Sequence, residues 1–203
     1  MKLSIIGATG FIGANILDEA LSRGHAVTAI ARDPSKLAQR NGMAAIAADT
    51  SKPDDLAAKI KGSDAVIVAL AWTNNDINDL LAALRRGQTP RAIFVVGAGS
   101  LKMPDGRLWL EHMIERGIAP PTSRKALEAL DTLRGVTDLD WVAVSPSQDI
   151  EPGERTGAFR LVGDEVLIDG NGASRISTQD FALAILNEIE RPSLSRQRFT
   201  VGY

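Results

Sequence analysis

The chain has no cysteine, a single tyrosine and only two histidines. Without cysteine there are no disulfides, no thiolate nucleophile and no cysteine metal ligand. His25 and His112 stand far apart in the sequence, which argues against a histidine-based metal site. Aromatic residues make up 4% of the chain and the net charge is −2. With no basic run and no basic–aromatic interleaving, a nucleic-acid partner is not expected. No apolar run approaches the roughly 18–20 residues of a membrane span, and the chain opens on a strand pattern rather than a signal peptide. The expectation is therefore a cytoplasmic protein with no membrane partner, a monomer or a homodimer. Its 203 residues, 44% of them apolar, suffice for one domain with a sizeable core.

What the chain does have is glycine in a telling place. Residues 3–13 read Leu-Ser-Ile-Ile-Gly-Ala-Thr-Gly-Phe-Ile-Gly, with an amphipathic segment directly behind. An apolar strand, a glycine turn and a helix start form a cradle for a dinucleotide pyrophosphate. Gly7 lets the chain turn off the strand, Gly10 lets backbone approach the pyrophosphate, and Gly13 lets helix and strand pack closely. The helix N-terminus adds unpaired N–H groups and the positive end of its dipole. Thr9, Phe11 and Ile12 complete the expected contact surface of this turn.

Downstream, apolar runs and amphipathic segments alternate. Buried strands are expected near Lys2–Ile6, Ala26–Ala31, Ala44–Ala48, Ala65–Leu70, Ala92–Val96 and Asp140–Val144, mostly as the continuous apolar runs of parallel strands. Helices are expected at Phe11–Ser22, Pro34–Arg40, Pro53–Ile60, Asp76–Arg86 and within Leu108–Leu133. This alternation predicts an α/β doubly wound parallel sheet with right-handed crossovers. After Val144 the pattern changes. Phe159–Val162 and Glu165–Ile168 flank Gly163-Asp164 as a candidate hairpin, followed by Arg175–Thr178, a helix near Gln179–Ile189 and a last strand near Arg198–Val201. The region of about 145–178 is read as a small cap on one Rossmann domain spanning 1–203.

Gly-x-x-Gly-x-x-Gly at this position, Ala31-Arg-Asp-Pro34, Val96-Gly-Ala-Gly-Ser-Leu101, Leu139-Asp-Trp-Val-Ala-Val-Ser-Pro146 and Glu151-Pro-Gly-Glu-Arg-Thr-Gly157 occur in order along the chain. As a set they resemble the atypical short-chain dehydrogenases/reductases. The resemblance is to the NAD(P)-binding, NAD-dependent epimerase/dehydratase-like group, similar to biliverdin reductase B (flavin reductase) and to NmrA-type redox sensors. It implies a Rossmann fold, a nicotinamide nucleotide and a small-molecule substrate. It leaves three activities open: an NADPH-dependent reductase of a flavin or a small carbonyl or quinone acceptor, a non-catalytic NADP(H) sensor, and a sugar-nucleotide epimerase or dehydratase.

Nucleotide choice is read at the second strand. Arg32 stands 19 residues past Gly13, where a guanidinium accepts the 2′-phosphate of NADP; a solvated surface charge is the alternative. NADP is expected, with NAD possible. Asp33, before Pro34, reads either as a ribose ligand or as a cap. The resemblance implies adenine recognition by Asp49 and Thr50, with an N-cap as the alternative for Asp49, and a ribose–pyrophosphate wall of Ala69, Leu70 and Ala71, with Gly97 nearby. Its usual Tyr-x-x-x-Lys acid is absent, because the only tyrosine is Tyr203. The candidates left for catalysis are Ser100, at the superfamily's substrate-polarising position, and Lys125, in Pro121-Thr-Ser-Arg-Lys125. Each has a bland alternative, a turn residue and an exposed charge. His112 reads as a packing histidine sooner than a proton donor, and His25 has no role.

Overall fold

The computed structural model describes residues 1–203. Ten strands and six helices follow in order: β1 (Lys2–Ile6), α1 (Phe11–Ser22), β2 (Ala26–Ala31), β3 (Met43–Ala47), α2 (Pro53–Ile60), β4 (Ala65–Val68), α3 (Ile77–Arg86), β5 (Ala92–Val95), α4 (Trp109–Glu115), α5 (Pro121–Arg134), β6 (Trp141–Pro146), β7 (Asp149–Glu151), β8 (Arg160–Val162), β9 (Arg175–Ser177), α6 (Thr178–Glu190) and β10 (Gln197–Gly202). Eight strands form one sheet in the order β3-β2-β1-β4-β5-β6-β10-β8, and β7 pairs with β9 in a small second sheet. All neighbours in the large sheet are parallel except β8, which runs antiparallel to β10.

Alternate residues of each strand feed two apolar layers. Leu3 and Ile5 of β1 pack with Ile16 and Leu17 of α1 and with Phe181 and Ile185 of α6. Ile6 and the neighbouring Val66 and Val68 face the other way, onto Leu56, Leu80, Leu84 and Leu130 of α2, α3 and α5. Helices on both faces explain why the central strands are apolar throughout rather than alternating. The strand order reverses between β1 and β4. Such a switch point opens a crevice at the carboxyl ends of the strands, where open α/β sheets bind ligands. No helix is long and apolar enough to cross a membrane.

Two local expectations are corrected. Pro34 opens only a three-residue 3-10 turn ending at Lys36, not a helix to Arg40. Gly163-Asp164 does not close a hairpin. Arg160–Val162 pairs with β10, while the segment after the turn runs to Lys102, with Val166 N donating to Lys102 O at 2.9 Å. The turn is drawn inward by β10: Thr200 Oγ1 donates to Gly163 O at 2.8 Å, and Arg198 Nε to Asp164 Oδ1 at 2.7 Å. These tertiary bonds outweigh the local two-residue signal.

Candidate functional site

The β1–α1 turn separates the glycines by what each is for. Gly7 has φ +91°, and a Cβ there would lie 2.2 Å from Ala69 O. A Cβ on Gly13 would lie 2.1 Å from Gly7 O. Both glycines are therefore demanded by the fold itself. Gly10 is different. Its backbone is extended (φ −79°, ψ 166°), and a Cβ would meet Gly7 O at a tight 3.2 Å and Ala69 O at 3.8 Å, a milder conflict than at Gly7 or Gly13. Gly10 is exposed and lines the neighbouring cavity, so its bare backbone leaves room for a ligand to approach closely. The first bond back along α1 runs from Ala14 N to Gly10 O at 2.9 Å, so the amides of its first turn remain available to an anion. A dinucleotide pyrophosphate fits this cradle.

Beside the turn lies a cavity of about 420 Å³. Its walls are Gly10–Ile12 at the start of α1, Ala69–Trp72 after β4, Val95–Gly99 after β5, and Pro146–Gln148 after β6. Trp109 and Met113 of α4, and Thr122, Ser123 and Ala126 of α5, close it from above the sheet. No Asp, Glu, His, Lys, Arg, Cys or Tyr lines it. Trp72, nearly fully buried, sets one wall by donating Nε1–H to Val95 O at 3.0 Å and its amide to Thr122 Oγ1 at 3.0 Å. Trp109 has two further neighbours: the His112 ring stacks on it at 6.1 Å, and the Arg116 guanidinium lies 5.3 Å from the indole centroid. His112 is in turn paired with Asp105 at 3.0 Å.

Of the sequence candidates, Gly10, Phe11, Ile12, Ala69, Leu70, Ala71 and Gly97 line this cavity, with Gly7 and Gly13 shaping the turn behind it. Thr9 is exposed on the turn. Arg32, at the carboxyl end of β2, is exposed. Most of the other arginines engage a carboxylate (Arg85 with Asp138, Arg107 with Glu115, Arg155 with Glu19), whereas Arg32 has no ion pair. Asp33 caps the 3-10 turn, accepting from Ser35 N at 3.1 Å and from Ser35 Oγ; these bonds, the hydroxyl's first, hold its carboxyl below the usual range. Asp49 Oδ1 likewise accepts from Ser51 N at 3.0 Å and Ser51 Oγ at 2.8 Å, and the amide bond leads in lowering its pKa. Both carboxylates are thus anions at neutral pH. Thr50 Oγ1 bonds Asn75 Oδ1 at 2.7 Å, which ties the turn after β3 to the loop after β4.

Ser100 and Lys125 do not line this cavity. Ser100 is 5% exposed and absent from the cavity lining. Its hydroxyl donates to Gly97 O at 3.4 Å and accepts from Arg198 Nη1 at 3.0 Å. Lys125 is exposed and paired with Glu128 at 2.7 Å, in a separate polar pocket that includes Thr50 and Asn75. Tyr203 is committed to structure as well, donating to Asp180 Oδ2 at 2.9 Å. Sequence reasoning missed Trp109, Met113, Thr122, Ser123 and Pro146–Gln148. Apart from Pro146, at the end of the Leu139–Pro146 motif, no motif marks them, and only the packing of α4, α5 and the β6 terminus against the crevice brings them together. A larger groove of about 870 Å³, between α6 and the β8 edge, shares none of these residues.

Residues 7–189 match a family described as NAD(P)H-binding. The chain is 34% identical to the protein YwnB of Bacillus subtilis, over 99% of this chain and 98% of that one. Among solved structures it is similar to a proposed epimerase from Bacteroides thetaiotaomicron, with TM-score 0.88 and 35% identity over 100% of this chain and 96% of that one. It is also similar to a proposed NADH-flavin reductase from Streptococcus pneumoniae, with TM-score 0.85 and 31% identity over 100% and 99% of the two chains. A Veillonella parvula short-chain dehydrogenase/reductase in complex with NADP shares the fold, with TM-score 0.80 and 18% identity over 100% of this chain and 94% of that one.

Proposed function

The chain belongs to a family described as NAD(P)H-binding, and from that premise we propose that it is an NADPH-dependent reductase of the atypical short-chain dehydrogenase/reductase kind, whose acceptor is a flavin or quinone. The observation that carries this reading is the cavity beside the glycine turn, lined by apolar and neutral polar groups and by no titratable side chain. Bound NADPH would supply the hydride. The residues of the chain bind and orient: the α1 amides and the bare backbone of Gly10 take the pyrophosphate, Arg32 takes the 2′-phosphate, and Asp49 and Thr50 stand toward the adenine end. Leu70, Val96 and Trp109 exclude water from the space beside the turn. A simple carbonyl compound becomes an alkoxide on hydride addition and needs a positioned acid. An isoalloxazine or quinone delocalises the charge and takes its proton from water, so the protein's part is positioning.

Two other readings compete. A non-catalytic nucleotide sensor would use the same cradle and seat its nicotinamide in the same cavity, and turnover of an acceptor separates it from a reductase. An epimerase or dehydratase would need a proton-transferring pair at the reacting carbon, which the cavity wall does not offer. A cytoplasmic location, where NADPH is at hand, goes with the reductase reading.

The test is NADPH oxidation measured against a panel of flavins, quinones, aldehydes and ketones from pH 6 to 9. Flavins and quinones are expected to turn over, with kcat flat across that range once the acceptor's own titration is removed. Aldehydes and ketones are expected to remain near background. A bell-shaped kcat with efficient ketone reduction would contradict the reading. Tight nucleotide binding with no turnover for any acceptor would favour the sensor.

A further inference from the structure

Arg198 lies on β10 with its side chain 2% exposed, a costly place for a guanidinium, and burial pulls its pKa down from the ordinary arginine value. Its bonds are distributed over three segments. Nε donates to Asp164 Oδ1 at 2.7 Å and Nη2 to Asp164 O at 3.1 Å. Nη1 donates to Ser100 Oγ at 3.0 Å and to Ser145 Oγ at 3.2 Å. Each of those hydroxyls has one proton, and both are given to the same acceptor, Gly97 O, at 3.4 Å from Ser100 and 3.2 Å from Ser145. The Gly97 carbonyl is therefore clamped through two serines to one buried cation. Gly97 opens the turn that forms the β5 wall of the cavity, and Ser145 immediately precedes the Pro146–Gln148 wall. β10 holds that second wall directly too, since Ser147 Oγ donates to Val201 O at 3.0 Å.

We infer that Arg198 is a positioning residue, which fixes the β5 and β6 walls of the cavity relative to one another through Ser100, Ser145 and the Gly97 carbonyl. As far as it concerns turnover, this rests on the reductase reading above. It also reassigns Ser100, which serves as one arm of the clamp rather than as a donor to substrate. An apolar residue would fill the same volume at less desolvation cost. What it would lack is a planar fork of five donors reaching two serines and a carboxylate at once, and a lysine ammonium cannot span them either.

The experiment compares wild type with Arg198→Met and Arg198→Lys in two readouts. The first, amide hydrogen exchange without any ligand, is expected to speed up about tenfold or more in residues 97–101 and 145–148, while residues 3–6 and 27–30 keep their wild-type protection. In the second, kcat with a flavin acceptor is expected to fall about tenfold from misplacement of the walls, with the NADPH Kd within about twofold of wild type and Arg198→Lys recovering only part of the loss. Where Arg198→Met does not fold, Ser100→Ala/Ser145→Ala severs the clamp while leaving the Arg198–Asp164 pair, and the same two results are expected. Unchanged exchange in 97–101 and 145–148, or exchange raised uniformly over the whole sheet, overturns the inference. Wild type that turns over no acceptor overturns the reductase reading alone, because the exchange readout needs neither nucleotide nor acceptor.

Discussion

Gly10→Val is expected to abolish NAD(P)H binding, raising the dissociation constant more than about a hundredfold, while the far-ultraviolet circular dichroism stays that of wild type. The three glycines of the turn make this result specific. A side chain at Gly7 or Gly13 would collide with backbone at 2.2 or 2.1 Å, and either variant would damage the fold together with the site. Gly10 has φ −79°, so a side chain brings no left-handed strain, and the nearest backbone atom is 3.2 Å from the added Cβ. The valine methyls would instead occupy the space where a pyrophosphate lies against the helix start. Isothermal titration with NADPH and NADH checks it. Retained micromolar binding in a folded Gly10→Val protein would mean that the nucleotide sits elsewhere.

Arg32→Ala is expected to remove most of a preference for NADPH over NADH of about ten- to a hundredfold. A charge-assisted contact to the 2′-phosphate stabilises by about 1.5–3 kcal/mol. Arg32 has no ion pair with another side chain, so no protein contact competes with the phosphate. Asp33 commits Oδ1 to Ser35, which leaves Oδ2 alone for the ribose contact that would favour NADH. NADH affinity is expected to change little in the variant. Equal dissociation constants for the two nucleotides in wild type would contradict the assignment of Arg32, without touching that of the glycine turn.

How much of this was legible in the sequence depends on how local the cause is. The β1–α1 turn is legible because strand, glycines and helix are contiguous, and the backbone that Gly7 and Gly13 must clear lies at Ala69 and Gly7. The parallel sheet is legible because strands covered on both faces must be apolar throughout, as Ala65–Val68 and Ala92–Val95 are. Gly163-Asp164 misleads because its neighbours are drawn to Lys102 and β10, partners far along the chain. Ser100 stands where a polarising serine is sought, but the residue that sets its role is Arg198, brought over by the parallel pairing of β10 with β6. Trp109, Thr122 and Ser123 belong to amphipathic helices with no motif. Their place at the cavity follows from how α4 and α5 dock over the crevice, which no window of sequence contains.

A crystal structure of the wild-type protein with NADPH is the most direct measurement. The pyrophosphate is expected against the amides of Phe11–Gly13 with an oxygen in contact with the bare Cα of Gly10, and the 2′-phosphate within hydrogen-bond distance of Arg32. The nicotinamide is expected in the 420 Å³ cavity, between the β5 turn and Pro146–Gln148. Nucleotide density in the groove between α6 and β8 instead, or a nicotinamide turned out into solvent with the cavity left closed, would contradict this placement.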